Sequence, residues 1–219
     1  MHGVHNPTVC GLTAILRAKA MTNSPIINYA SNREWSSSEM LTYNVMGAIA
    51  NSDVPIATDR CILSPLTEAD FCELTPLLTN ADVRRYLGGV RPVEDSFHNM
   101  RESIATANNY PFVVRLCGTT ELLGLVTIAP HHEPTDMEIS YMFLPEHWGK
   151  GYAQEAMKAV LNFCEQKLNL NRVVSETQTA NHRSCRLLET LGYCAESKIE
   201  RFGAKQTIYA YQFRDGVAI

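Results

Sequence analysis

The densest run of residues able to do chemistry is Trp148-Gly149-Lys150-Gly151-Tyr152-Ala153-Gln154-Glu155-Ala156. Glycines at 149 and 151 let the backbone turn tightly and approach a ligand, and the amides opening a helix have no partner inside it. Unpaired N–H groups at a helix start attract anions, so the pattern implies a phosphate or pyrophosphate ligand. Lys150 adds positive charge beside them. The run lacks the Lys-Ser or Lys-Thr end of a nucleoside-triphosphate loop and the third glycine of a dinucleotide turn, which disfavours ATP and NAD. His131-His132 is too small a cluster to imply a metal, Cys185 has no activating neighbours in sequence, and no Ser-His-Asp set indicates an acyl-enzyme.

A phosphate-binding turn needs a strand before it and a helix after it. Alternation over 137–143, ended by Pro145, predicts the strand. Ala156, Met157, Ala159, Val160, Phe163, Cys164 and Leu168 fall at helical spacing and predict the helix. Upstream, the pattern predicts a strand over 60–63, a helix over 67–79 capped by Thr67, a second over 81–87 stopped by Gly88-Gly89, and a third over 93–107. A hairpin follows, 110–116 and 122–128 around Gly118-Thr119-Thr120. Downstream come a strand over 172–178, a helix over 181–191 stopped by Gly192, and strands over 193–201 and 207–213 around Gly203. The fold class is α/β with mixed α+β topology, a twisted mixed sheet with helices on both faces.

The chain has 219 residues, 45% apolar and 19% charged, with a formal net charge of -4. This suits one folded domain and gives no global pull toward nucleic acid or an anionic membrane. No apolar run reaches membrane-spanning length, so no membrane partner is expected. Seven dispersed cysteines suit free thiols in a reducing compartment, and a cytoplasmic location is the expectation. Residues 1–55 are turn-rich, with short helices expected at 9–20 and 40–50; they form an extension that wraps the domain at 56–219 or serves as a homodimer arm.

From 57 to 213 the chain resembles the GNAT N-acetyltransferase superfamily, and within it the branch that acetylates N-terminal amines of ribosomal proteins. The family's phosphate motif, Gln or Arg, two variable residues, Gly, one variable residue, then Gly or Ala, is matched at Gly151 and Ala153 and departs at Trp148, although Trp-Gly-Lys-Gly-Tyr-Ala is the branch's usual wording. The ordered segments Thr58 to Leu66, Ala81 to Gly89, Glu138-Ile139-Ser140-Tyr141, Asn181-His182-Arg183-Ser184 and Leu188 to Tyr193 extend the match.

The resemblance implies acetyl-CoA as cosubstrate, no metal, and a split between two parallel strands, 137–143 and 172–178, that admits the coenzyme. It places Met142, Phe143, Trp148, Gly149, Lys150, Gly151, Tyr152, Ala153, Asn181 and Ser184 against the cofactor. Glu138 is the leading candidate for taking the amine's proton, with Glu176 as runner-up and Ser140 as a member of a water network. Leu188 stands where many family members have the Tyr that protonates the leaving thiolate. The expected reaction is direct attack of a primary amine on the thioester, the acceptor being a protein or peptide N-terminal α-amine. Alternatives are a small amine, such as a polyamine or an amine-bearing antibiotic, and a noncatalytic acyl-CoA-binding protein. Acidic groups at the acceptor mouth are expected to draw in cationic amines.

Overall fold

Two apolar runs joined at Gly118 form the centre of a nine-stranded sheet: β4 (Tyr110–Leu116) and β5 (Leu122–Pro130) pair antiparallel, and Val113, Val114, Leu123, Val126 and Ile128 are fully or almost fully buried. The computed structural model describes residues 27–28, 55–132 and 136–213. On the near side of β4 lie β3 (Cys61–Pro65), β2 (Ile56–Ala57) and β1 (Ile27–Asn28), which pairs parallel with β2 and so adds part of the extension to the sheet edge. The helices expected at 9–20 and 40–50 lie outside the described residues. On the far side, β6 (Met137–Phe143) pairs antiparallel with β5, and β7 (Arg172–Gln178) runs parallel to β6. The sheet closes with β9 (Ala204–Gln212) between β7 and β8 (Cys194–Arg201).

Strand alternation sends apolar side chains to both faces, and helices cover each. On one face α4 (Tyr152–Gln166) buries Ala156, Met157, Ala159, Val160, Phe163 and Cys164, and α5 (His182–Thr190) adds Leu188. On the other, α1 (Phe71–Thr79), α2 (Ala81–Arg84) and α3 (Val93–Ala105) supply Phe71, Leu74, Leu77, Leu78, Val83 and Met100 against Val113, Leu122 and Leu125.

The helix expected from 67 begins as a 3-10 turn, Glu68–Asp70, whose Asp70 carboxylate accepts from both the backbone amide and hydroxyl of Thr67. The helix expected over 81–87 stops at Arg84, because the chain turns through Gly88 and Gly89 at φ 82° and 80° while the Arg84 side chain binds the carbonyls of Leu87 and Gly89. Arg115 is buried in β4; it is held by Asp70 at 2.7 Å and Glu73 at 2.5 Å, which ties the α1 layer to the sheet.

Candidate active site

The two parallel strands at the centre of the site pair only at their beginnings, Met137 with Val173 and Glu138 with Val174. Beyond that point the buried Ser175 hydroxyl donates to the Ile139 carbonyl at 2.7 Å, taking the acceptor a third rung would have used. From there to Phe143, β6 keeps its ladder with β5 only. The strands thus present facing backbone groups across an opening, where an extended, amide-bearing arm can add hydrogen bonds as an extra strand does.

At the wide end lies the glycine turn. Gly149 and Gly151 have φ of 75° and 83°, and Gly151 is the N-cap of α4. The first bond inside the helix is from the Glu155 amide to the Gly151 carbonyl, so the amides from Gly149 to Gln154 have no backbone acceptor. Arg60 sets their direction: its Nη1 donates to the Lys150 carbonyl at 2.9 Å, its Nε to Glu155 at 2.7 Å, and its guanidinium lies 4.7 Å over the Tyr152 ring. A trans peptide points its N–H away from its C=O, so the Gly151 amide faces the open side. Glu155 also accepts from Thr58 at 2.5 Å and from the Arg60 amide. Burial pushes its carboxyl up, but these hydrogen bonds outweigh burial and leave it below the usual range. The turn therefore fits a pyrophosphate, with Gly149, Lys150, Gly151, Tyr152 and Ala153 at its rim. Trp148 turns inward, donating from Nε1 to the Phe143 carbonyl at 2.8 Å, and Arg183 stacks on its ring at 4.8 Å, bringing a second cation beside the turn. His147 is buried, 3.6 Å from Glu121, and its ring meets the Tyr152 ring edge-on with centroids 6.0 Å apart, so it packs against the first residue of α4.

The other arm of the opening carries Asn181 and Ser184. Asn181 caps α5 by accepting from the Ser184 amide at 3.3 Å. The Ser184 hydroxyl shares a 2.7 Å hydrogen bond with Tyr141 of β6. Burial pushes the Tyr141 phenol up to about 12, so it stays protonated through the neutral range. Leu188, at the position of the family's usual Tyr donor, is fully buried.

Glu138, Ser140 and Met142 alternate onto the face that α1–α3 cover; Ser140 is exposed and Met142 packs with the α1–α3 cluster. Glu138 stands on the last rung before the opening. Burial pushes its carboxyl above the usual range, the neighbouring His131 pulls it back, and Glu176 pushes it further up. Glu176 itself accepts from Arg201 at 2.7 Å and lies 3.1 Å from the buried His131 ring. Its carboxylate is thus engaged in an ion-pair network behind Glu138.

A cavity of about 170 Å³ opens on the same face, floored by Leu125, Thr127 and Met142 and walled by Leu66, Leu78 and Met100. Among the described residues its charged lining is Arg84 and Arg91. Local sequence assigns no site role to Arg60, Tyr141 or Ser175 and offers His131 only as half of a His-His pair; the partners that bring these residues to the site lie far along the chain.

Among the described residues no helix is long and apolar enough to cross a membrane. The Acetyltransferase (GNAT) domain family matches residues 60–193. The uncharacterized protein YkkB of Bacillus subtilis is 28% identical over 165 residues, spanning 73% of this chain and 96% of its own length. The crystal structure of a GNAT-family acetyltransferase from Bacillus anthracis superposes with a TM-score of 0.64 at 25% identity, over 73% of this chain and 98% of that one. At 20% and 15% identity, a spermidine N-acetyltransferase from Vibrio cholerae (TM-score 0.62, 69% and 95% of the two chains) and a Salmonella typhimurium enzyme that modifies the N-terminal serine of ribosomal protein L7/L12 (0.63, 71% and 96%) share the fold. With the split strands and the phosphate turn in place, the chain belongs to the GNAT acetyltransferase family, as an enzyme that moves acetyl from acetyl-CoA to an amine.

Proposed function

We propose that the acceptor is the α-amine of a protein or peptide N-terminus and that Glu138 takes the proton it loses. The observation that carries this reading is the place of Glu138, a half-buried carboxylate at the mouth of the strand opening, on the face of the acceptor cavity, with its proton affinity raised by burial. An amine attacks only with its lone pair free. An α-amine, with a pKa of about 7.7–8.0, is roughly 15% neutral at pH 7, whereas an alkylamine near 10.4 is neutral to well below about 0.1%. A single carboxylate suits the first more than the second. The basic cavity lining also disfavours a polyamine, the acceptor named for the Vibrio cholerae relative in fold.

Coenzyme A supplies the activated acetyl thioester. The amides of Gly149 to Ala153 hold its pyrophosphate, the free edges at Met142 and Phe143 and the Asn181 side align its arm, and that alignment removes much of the entropic barrier. Glu138 accepts the amine proton directly or through water ordered by Ser140. Glu176 and His131 position Glu138 and set its proton affinity. The protonated Tyr141 and its partner Ser184 offer hydrogen bonds to the departing sulfur in place of the missing donor at Leu188.

The test is acetyl-CoA with three acceptors: a peptide with a free α-amine, the same peptide with that amine blocked and a lysine retained, and spermidine. Mass spectrometry should find one acetyl group, on the α-amine. Labelling of only the lysine or the polyamine would reverse the assignment.

A further inference from the structure

The unusual charges on the acceptor face are those of Arg84 and Arg91. Arg183 lies over the Trp148 ring and Arg186 is exposed, while six other arginines, Arg60, Arg85, Arg101, Arg115, Arg172 and Arg201, each meet a carboxylate. Arg84 does not: it is half-buried, gives Nε to the Gly89 carbonyl at 3.0 Å and Nη2 to the Leu87 carbonyl at 2.7 Å, and leaves Nη1 facing the Met142 sulfur at 3.9 Å on the cavity floor. Arg91 folds back over the same loop, its Nη2 3.5 Å from where a side chain at Gly88 would begin, and has no carboxylate partner among the described residues either. Burial, and then the charge of Arg91, make the Arg84 guanidinium hold its proton less tightly than usual. The acidic residues of the first turn of α3, Glu94 and Asp95, are exposed and outside the cavity wall. Ser96, Asn99 and Ser103, on one face of α3, complete a lining of neutral polar groups.

A half-buried guanidinium with an exposed one beside it makes the cavity a favourable place for an anion. We infer that the cavity formed by Arg84, Arg91 and the polar face of α3 receives a carboxylate of the acceptor, supplied by an acidic side chain close behind the N-terminal amine. This rests on the proposed function and specifies its substrate. The geometry selects the spacing. Thr127 on the cavity floor pairs with Ser140, two positions from Glu138 on the same face, and Met142 is four positions away. At roughly 3.4 Å per strand residue, the anion lies about 7 to 14 Å along the strand from Glu138 and the amine it serves. A carboxylate on the first residue, as in free glutamate, falls short of this distance, whereas a second-residue Glu side chain reaches its near end. The volume, about 170 Å³, is below the roughly 300–1,000 Å³ typical of drug-sized ligands and suits a single side chain.

Three peptides that differ only at the second residue, Glu, Gln or Lys, provide the test, with free glutamate and its α-amide as small-molecule arms. Turnover is measured with acetyl-CoA, and binding is measured separately to the protein saturated with CoA. The Glu peptide should exceed the Gln peptide by about 10- to 100-fold in kcat/KM, the size of one charge-assisted contact. Arg91→Gln, at an exposed position, should erase that ratio, and Arg91→Glu should put the Lys peptide ahead; the KM for acetyl-CoA should be unchanged in both. Equal use of Glu and Gln peptides, preference for Lys in the unaltered protein, preference for free glutamate, or a rise in acetyl-CoA KM on altering Arg91 would overturn the inference. Charge-selective peptide binding without turnover would keep it and sink the proposed function. Turnover without charge selection would do the reverse.

Discussion

Glu138→Gln keeps the shape of the side chain and removes its capacity to take a proton. General-base losses are typically about 10²–10⁴-fold, so kcat should fall by that order while acetyl-CoA binding, set at the glycine turn, stays. The stability effect runs the other way. The folded-state pKa of Glu138 is raised, chiefly by burial. Its stabilising contribution is therefore full below the unfolded carboxylate pKa and lost as pH rises through the folded one. The glutamine variant, which has no charge to bury, should melt no lower than the parent at pH 8. A variant that both loses activity and melts well below the parent would mark Glu138 as structural. In the parent, kcat/KM should rise with pH, first as Glu138 ionises and then as the α-amine becomes neutral. At this scale Glu138 was visible in the sequence because the family segment Glu138-Ile139-Ser140-Tyr141 carries it. Its environment was not, since His131 and Glu176 are 45 residues apart and meet only through the sheet.

The unit proposed to position the cofactor is the turn between β6 and α4, buttressed by Thr58 and Arg60 from the β2–β3 connection. At Gly151 a side chain would meet both a left-handed φ of 83° and the Arg60 guanidinium, 3.2 Å from the new Cβ. Gly151→Ala should therefore raise the acetyl-CoA KM by about tenfold, with a stability loss of about 1–2 kcal/mol from the left-handed backbone. Steady-state kinetics with thermal melts check this, and an unchanged KM would remove the turn from cofactor binding. The element boundaries were legible where periodicity and glycine stops agreed, as in β4, β6 and β7, which lie where the pattern put them. They were least legible at α2, where a long-range-looking helix of 81–87 was ended by the Arg84 side chain binding its own loop.

Across the molecule, the α1–α3 layer that walls the proposed acceptor cavity is locked to the sheet by Arg115 between Asp70 and Glu73. Arg115→Met leaves the carboxylate of Asp70, itself buried, without its counter-ion, and such half-broken buried pairs cost about 3–5 kcal/mol. Urea unfolding should show a loss of that order. If the protein still folds, the acceptor KM should rise while acetyl-CoA KM holds, because the coenzyme contacts proposed above come from β6, α4 and α5. Equal effects on both would mean that the two layers move as one. By itself the sequence determined what local patterns encode: the order and type of the elements from β3 onward, the glycine turn before α4 and the family it belongs to. Only the tertiary structure decided that β6 and β7 part after two rungs, that His131, Glu176 and Arg201 gather behind Glu138, and that Arg84 and Arg91 line the cavity under α1–α3. Those features are sums over side chains distant in the chain, and the energy of a charge or a missing ladder bond depends on what stands beside it in space.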